Sequence, residues 1–315
     1  MVIKRIHESI RLGMLLRWGH RGFAAIAIAV ITVYLLRNRV TVTDLAAAAQ
    51  VPLIAASIAV MALVHFLVVT GFHYAHRGLA LKRPYRESLA SYFVRLPARY
   101  VPGGIWHTAA RYIDIRAQHV LPKRIFAQIF LVESCLVAAS GLMVAGVASR
   151  IWFSHGDWVH EVGAMALMAS IVLVFTMVIF ARAFRIQLQS RNLLLSGASF
   201  SLHWIVVGIG FAVYARAFPG SELGTCSFGV LASAYQLAAS LGYVAIFSPQ
   251  GWGVTELVFG SLSTCNAPLV TSVAAITGFR LIGLVADLLA YATTLGAIWI
   301  VASRTGTNTS NGASR

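Results

Sequence analysis

Five ionisable side chains lie in apolar stretches of this sequence, where a charge is unfavourable. Arg111, Glu133 and Glu256 are each flanked by apolar residues, and Arg280 and Asp287 are two helical turns apart and share one helix face. An unpaired charge in the middle of a bilayer costs about 3 kcal/mol or more, so each is a candidate functional residue. The arginines and carboxylates could form structural ion pairs. Alternatively, the arginines could bind a phosphate, whose oxygens fit the planar guanidinium group.

Two Pro/Gly-rich breaks accompany these charges. Proline removes a backbone donor and glycine weakens the steric preference for a helix. A broken helix is tolerated at membrane depth only where it is buried in protein or lines a cavity, and paired breaks indicate a transporter binding site. We therefore predict that both breaks face a central cavity and bind substrate together with the five ionisable residues. The residues of the breaks and their neighbours are Pro102, Gly103, Gly104, Trp106 and His107 in the first, and Pro249, Gly251 and Gly253 in the second.

The composition excludes an ordinary soluble domain. The chain has 315 residues, 58% of them hydrophobic and 11% charged, with a mean hydropathy of +0.77, whereas soluble domains carry about 25% charged residues. The apolar runs are long and apolar on all sides, which favours an all-α polytopic membrane bundle over a membrane β-barrel. The net charge of +15 comes from basic residues in short loops, a pattern typical of cytoplasmic membrane loops and not of nucleic-acid binding.

The chain is predicted to contain a basic amphipathic arm (1–21), one membrane domain (22–302) and a disordered polar tail (303–315). We expect about 7–8 spanning helices and two re-entrant hairpins. The region 268–302 exceeds a ~30 Å hydrocarbon core, which predicts either a kinked helix or two helices. The side of the C-terminus and an internal repeat stay open. Helices are predicted at about 22–36, 51–74, 125–148, 162–180, 193–217 and 226–247, with shorter ones at about 88–100, 105–118 and 255–262.

Basic residues in 1–21, 76–99 and 182–191 predict that the N-terminus is cytoplasmic and that the protein lies in the inner membrane. The first helix is expected to be retained, because Arg37-Asn-Arg39 follows it where a signal peptide would have a cleavage site of small residues. The connection 37–50 is expected to be brief.

Histidines and cysteines give weaker signals. His73 and His76 could form a metal pair, but a pair facing solvent or headgroups is favoured, and His65 is expected to be a satisfied interior histidine. The cysteines at 135, 226 and 265 form no CxxC site and are interpreted as packing residues. We expect no cofactor and no metal.

The ordered set of motifs resembles the transmembrane region of the lysylphosphatidylglycerol synthase family. The resemblance comprises the run from Leu96 to Arg111, Glu133 in the next helix, the run from Ser248 to Glu256, and then Arg280 and Asp287. It implies an integral membrane module that moves lipids between leaflets. The synthases add a soluble aminoacyl-transferase domain, which we do not expect here, so the resemblance carries over no aminoacylating activity. Gln250 stands where the family often has glycine.

Three functions follow as hypotheses. The first is a translocase for an anionic phospholipid or a polyprenyl-phosphate-linked lipid in envelope or surface-glycan assembly. The second is a membrane enzyme such as a glycosyltransferase, and the third is a non-transporting scaffold for envelope-biosynthesis proteins. The enzyme is disfavoured because the loops 37–50 and 150–161 hold few acidic residues and no HExxH, GxSxG or Walker motif occurs. The expected partners are a membrane lipid and envelope-biosynthesis proteins, without nucleic acid.

Overall fold

The protein is described from a computed structural model. It covers residues 29, 32–34, 36–81, 83–97, 107, 110–113, 115, 123–154, 157–245, 248–262 and 264–310. The predicted arm and most of the first predicted helix lie outside these residues. The α-helices, in chain order, are α1 (Arg39–Ala47), α2 (Val51–Gly78), α3 (Tyr85–Val94), α4 (Lys123–Trp152), α5 (Trp158–Ala183), α6 (Ser190–Arg216), α7 (Glu222–Thr225), α8 (Phe228–Val244), α9 (Val254–Ser261) and α10 (Leu269–Ser310).

Five helices in the described part of the chain are long and apolar enough to cross a membrane: α2, α4, α5, α6 and α10. Helix α8 is apolar but shorter. The described residues form no strand, so the predicted helical membrane bundle is confirmed at this level, whereas the predicted 7–8 spans are not. Many large apolar side chains of α5 face outward, as expected for a helix that contacts lipid.

Two backbone hydrogen bonds define the two ends of the bundle. The amide of Gln189, just before α6, donates to the carbonyl of Gly78 at the end of α2 (2.9 Å), and this end is called the basic end. The amide of Gln50, just before α2, donates to the carbonyl of Ala217 after α6 (2.7 Å). This second end also holds Cys226 and is called the cysteine end. Helices α2 and α6 are therefore antiparallel neighbours.

Short polar side chains bind the helices to one another inside the bundle. Ser57 of α2 donates to the carbonyl of Gly210 (2.9 Å), and Ser196 of α6 donates to the carbonyl of Gly71 (2.8 Å). Small residues at these positions let the backbones approach closely, which is how membrane helices pack in the absence of a hydrophobic driving force. Helix α2 of this pair carries two histidines, His65 and His76, that contact buried carboxylates of other helices.

Helices α8 and α9 form a re-entrant hairpin, called the second hairpin. Its tip reverses the chain through left-handed backbone at Gln250 (φ 55°), Gly251 (φ 68°) and Gly253 (φ 82°). A Cβ on Gly251 would lie 2.9 Å from the Cα of Gly242, so glycine permits the two arms to touch here. The predicted break at 248–253 is thus an irregular turn, and a 3₁₀ turn at Pro249–Gly251 lies within it.

A disulfide joins the two feet of the second hairpin. Cys226 precedes α8 and Cys265 follows α9, and their Cα atoms are 5.8 Å apart. The interpretation of these two cysteines as separate packing residues is therefore wrong. The sequence separation of 39 residues hid the pairing, because it becomes visible only when the chain is known to double back. Cys135 is a free thiol.

The first hairpin enters from the basic end. Helix α3 forms its first arm, and residues 107, 110–113 and 115 are helical in its second arm. The described residues of the second arm pack near the start of α4, where Ile115 and Ile129 join one apolar cluster with Leu79 of α2. The break itself, Pro102, Gly103 and Gly104, and the adjacent Trp106 lie outside the described residues. The predicted meeting of the two breaks at a cavity stays a prediction.

Three further expectations differ from the structure. The region 268–302 is neither two helices nor interrupted, because α10 is continuous from Leu269 to Ser310. It includes residues 303–310, which were predicted as disordered tail; extending an existing helix by a few residues needs no new nucleation. The connection 37–50 contains α1 and is not simply a brief loop.

Candidate functional site

Arg111 and Glu133 form a buried two-point ion pair near the basic end. The guanidinium Nη2 lies 2.6 Å from Glu133 Oε2, and Nη1 donates to Oε1 at 3.2 Å. His76 of α2 completes the group, with its Nε2 2.9 Å from Glu133 Oε1. Arg111 is 3% exposed and Glu133 2% exposed, so the three side chains, called the Glu133 centre, are sealed from the surroundings.

Aromatic residues lie near the Glu133 centre. The guanidinium carbon of Arg111 lies 3.9 Å from the centroid of the Phe72 ring, a cation–π contact. Tyr243 at the end of α8, which is partly exposed, lies beside Ser134 and within electrostatic reach of Glu133 and Arg111. The tip of the second hairpin therefore approaches the ion pair that the first hairpin makes.

A second ion pair links α9 to α10. Arg280 Nε donates to Glu256 Oε1 at 2.8 Å. The remaining guanidinium nitrogens donate to two backbone carbonyls of the hairpin tip, that of Gln250 at 2.9 Å and that of Gly251 at 3.1 Å. The indole of Trp252 lies under the guanidinium, 4.7 Å from its carbon. This group is called the Glu256 centre.

Local backbone geometry explains the Glu256 centre. The left-handed turn at Gln250 and Gly251 exposes carbonyls that a helix would have used internally. Glu256 is the third residue of α9, and its Oε2 accepts the backbone N–H of Gly253 at 2.8 Å, as in a capping box. One carboxylate therefore starts α9 and neutralises Arg280, while the break supplies the other acceptors.

Asp287 belongs to a third group on the same helix as Arg280. Its Oδ1 lies 2.8 Å from Nε2 of His65, and the two side chains, called the Asp287 pair, are both buried. The other ring nitrogen of His65 lies 3.0 Å from the hydroxyl of Tyr92 on α3. His107 packs edge-on against Tyr92, with ring centroids 5.0 Å apart. The first hairpin thus contacts α10 through α2.

Tyr92 also connects the Asp287 pair to the Glu133 centre. Its ring centroid is 6.0 Å from that of Phe72, the residue that carries the Arg111 guanidinium. A continuous series of side chains therefore runs from Glu133 through Phe72 and Tyr92 to Asp287. The two ends of this series come from different halves of the sequence.

The predicted pairing of arginines with glutamates is confirmed for both arginines. The structure groups Arg111 with Glu133, groups Glu256, Arg280, Gly251 and Gly253, and places His107 and Asp287 in a separate group. Pro249 lies in the turn of the second hairpin. Their role in binding a substrate stays a prediction.

Two histidines differ in their surroundings from what the sequence indicated. His73 and His76 are buried, not facing solvent or headgroups. His73 lies 3.2 Å from the hydroxyl of Ser88, and His76 belongs to the Glu133 centre. Among the described residues, no group of three metal-ligand side chains comes together. Sequence reasoning missed His76, Phe72 and Tyr92 as site residues. The available signals were the spacing of Phe72 and His76, four residues apart on α2, and the position of Tyr92 on α3, the helix before the first break.

Two small clefts lie along the lipid-facing side of α10. The larger is about 150 Å³ and lies between α2 and α10, with Phe66, Phe93 and Leu289 on its walls. The smaller is about 50 Å³, and Asp287 lines it together with Leu96 and Tyr291. Neither cleft is lined by Arg111 or Arg280.

Comparison with known proteins adds no assignment. No protein-family model matches the chain. No curated protein matches its sequence.

Proposed function

We propose that this protein moves an anionic, phosphate-bearing lipid headgroup between membrane leaflets, with Arg111 and Arg280 as the phosphate contacts. The observation that supports this most strongly is that each arginine is held by a glutamate inside the helical bundle, Arg111 fully buried and Arg280 partly buried beside the tip of the second hairpin. A guanidinium donates two parallel hydrogen bonds to a carboxylate or to a phosphate, so a phosphate can take the place of the glutamate without loss of geometry.

The aromatic contacts fit the same role. Phe72 and Trp252 lie against the two guanidinium groups, and a ring face stabilises a cation whether or not an anion is bound. Each arginine would therefore keep its position while its anionic partner changes. The glutamates neutralise the arginines in the empty state, and the headgroup phosphate does so in the loaded state.

The proposed orientation places the basic end in the cytoplasm of the inner membrane. Cytoplasmic loops carry an excess of arginine and lysine, and disulfides form in oxidising compartments outside the cytoplasm. Both rules give the same answer here, with Cys226–Cys265 outside. Among the described residues, the arginines at or near the basic end are Arg77, Arg83, Arg86, Arg182, Arg185 and Arg191. Those at the cysteine end or on the chain that leads into it through α1 are fewer: Arg37, Arg39, Arg150 and Arg216.

The resemblance to the transmembrane region of the lysylphosphatidylglycerol synthases points to the same class of activity. The proposed substrates are an anionic phospholipid and a polyprenyl-phosphate-linked lipid, in the service of envelope or surface-glycan assembly. Envelope-biosynthesis proteins are the proposed partners.

The test is leaflet exchange of labelled lipid in liposomes that contain the purified protein. Labelled phosphatidylglycerol and a labelled polyprenyl phosphate are compared with labelled phosphatidylcholine. We expect exchange of an anionic lipid above that of empty liposomes. Arg111→Lys and Arg280→Lys should each slow it roughly 10- to 100-fold, the equivalent of the ~1.5–3 kcal/mol contributed by a hydrogen bond to a charged group.

Arg216→Lys is the matched control, because Arg216 lies at the cysteine end and donates to the carbonyl of Cys226 at 2.8 Å. It should exchange lipid at the parent rate. If both test variants are folded and exchange lipid as fast as the parent, the two ion pairs are structural. If the parent exchanges no anionic lipid, the scaffold is the better hypothesis. The observation that favours that second candidate is that all three nitrogens of Arg280 already donate to Glu256 or to backbone carbonyls of the hairpin tip.

A further inference from the structure

His76 is a buried imidazole in direct contact with a carboxylate that the proposed function requires to move. Its side chain is 3% exposed, and its Nε2 lies 2.9 Å from Glu133 Oε1. Its other nitrogen, Nδ1, is buried and has no hydrogen-bond partner in the described part of the chain. A ring nitrogen left unpaired in the interior is unfavourable unless the site uses it. This nitrogen can accept a proton while Nε2 keeps its contact with Glu133.

Charge balance at the Glu133 centre gives that nitrogen a function. In the empty state, the positive Arg111 and the negative Glu133 cancel. A phosphate that binds Arg111 adds one negative charge to a group that is almost fully buried. Uncompensated charge in such surroundings costs several kcal/mol, so the loaded state favours the uptake of one proton.

We propose that binding of an anionic headgroup at Arg111 is coupled to uptake of one proton by the His76–Glu133 pair. This inference rests on the proposed function and names the ion that accompanies the lipid. The headgroup displaces Glu133 from Arg111. A proton from water then adds to His76, and the imidazolium neutralises the displaced carboxylate. No covalent bond other than the N–H or O–H bond of the pair changes. Release of the headgroup restores the Arg111–Glu133 pair and expels the proton.

The groups around His76 fit this cycle. On its own helix, His73 and Arg77 are near, and Arg83 follows α2. Arg111 and Glu133 face it from the first hairpin and α4, and Tyr243 of α8 lies on the far side of Glu133. An anion that binds at Arg111 adds a negative charge to this buried group, and uptake of a proton by the His76–Glu133 pair restores its charge balance.

The position of His76 also fits a route for the proton. It lies two residues before the end of α2 at Gly78, so the pair is close to the basic end. Protons would therefore enter from the side that the proposed orientation makes cytoplasmic. Headgroup movement that starts on this side would carry a proton with it.

Calorimetry on the purified full chain in detergent tests the coupling directly. Dihexanoyl phosphatidylglycerol is titrated at pH 8 in buffers of different ionisation enthalpy. Its phosphodiester does not titrate near this pH, so any proton exchange belongs to the protein. We expect the parent to take up about one proton per headgroup, and its apparent Kd to rise about tenfold per pH unit between pH 8 and 9, as linkage requires.

Variants assign the proton to the pair. In His76→Gln the uptake should disappear, and the Kd should lose its pH dependence. The matched control is His203→Gln, because His203 is a membrane histidine whose ring packs against Trp204 with centroids 5.6 Å apart; its uptake should equal that of the parent. If His76→Gln does not fold, the two parent measurements still decide whether a proton is taken up.

Each outcome has one meaning. Binding without proton exchange and with a Kd independent of pH overturns the inference and leaves the proposed function standing. Undiminished uptake in His76→Gln also overturns it, since the proton then binds elsewhere. Absence of binding for phosphatidylglycerol and for a short-chain polyprenyl phosphate rejects the proposed function, and the inference with it.

Discussion

The two Arg–Glu centres use the same residue types in opposite positions. In the first, the arginine is on the hairpin arm and the glutamate follows 22 residues later on a long helix. In the second, the glutamate is on the hairpin arm and the arginine follows 24 residues later on a long helix. The first hairpin enters from the basic end, and both feet of the second lie at the cysteine end. The two hairpins thus start from opposite ends of the bundle and carry opposite members of an Arg–Glu pair.

The surroundings of the two centres differ as much as their order. Arg111 and Glu133 are buried beside His76 and Phe72. Arg280 has 17% of its side chain exposed and also donates to two backbone carbonyls of the hairpin tip. A partly exposed pair whose arginine keeps backbone acceptors should tolerate the loss of its glutamate better than a fully buried pair.

The largest expected effect is that of Glu133→Gln. It removes the carboxylate that pairs with the buried Arg111, and breaking a buried pair in this way costs about 3–5 kcal/mol. Thermal unfolding in detergent should show a large fall in Tm. Glu161→Gln is the control, because its side chain is 67% exposed and its loss should change stability by less than about 0.5 kcal/mol. Equal Tm values for parent and Glu133→Gln would contradict the sealed state of this centre.

The next effect concerns the disulfide of the second hairpin. The described residues of the first hairpin contain no disulfide. Cys226→Ser should lower stability by about 2–4 kcal/mol, the usual contribution of a native disulfide. The same fall in Tm should follow when the parent is reduced. Cys135→Ser, which removes the free thiol, should leave the response to reductant intact. A parent whose Tm is indifferent to reductant would show that the feet of the second hairpin hold together without the bond.

Glu256→Gln should be milder than Glu133→Gln and so tests the comparison itself. The amide oxygen of glutamine can still accept the N–H of Gly253, and Arg280 keeps its two carbonyls, so we expect a loss of about 1–3 kcal/mol. The measurement is again thermal unfolding, with the two glutamate variants run side by side. A loss equal to or larger than that of Glu133→Gln would mean that the backbone acceptors of the tip do not compensate Arg280.

The smallest effect is expected for Tyr92→Phe. This change removes the hydroxyl that lies 3.0 Å from His65 and keeps the ring that joins Phe72 and His107. The loss of one hydrogen bond should cost about 1 kcal/mol. Tyr85→Phe is a matched control on the same helix, since its hydroxyl contacts exposed Thr70. If Tyr92→Phe loses no more stability than Tyr85→Phe, the hydrogen bond between Tyr92 and His65 does not couple the Asp287 pair to the first hairpin.

The sequence was sufficient to predict a bundle of apolar helices and a glutamate within pairing reach of an arginine, but not which glutamate pairs with which arginine. Long apolar runs specify membrane helices almost without regard to context, because a backbone in lipid must form its hydrogen bonds within its own helix. A buried arginine must find a carboxylate, and the chain offers few. For this reason, the pairing of Arg111 and Arg280 with glutamates could be predicted without a fold.

Contacts between distant helices could not be predicted in the same way. Nothing in the local sequence of His76 indicates that it points at Glu133, since that depends on how α2 and α4 pack. The length of α10 was also open, because neither Gly278 nor Gly283 must bend a helix that is packed along its side. The break at 102–104 was predicted from proline and glycine, and its geometry stays a prediction.

The bond between Cys226 and Cys265 also has a consequence for how the chain is inserted during synthesis. It can form only if α8 turns back at residues 248–253 and returns its partner thiol to the same compartment. A chain in which α8 continued across the bilayer would deliver the two thiols to opposite sides, where no oxidase could join them. Formation of the bond therefore indicates that the hairpin was inserted correctly. The fraction of chains with two free thiols at these positions would measure how often the translocation machinery inserts the hairpin incorrectly.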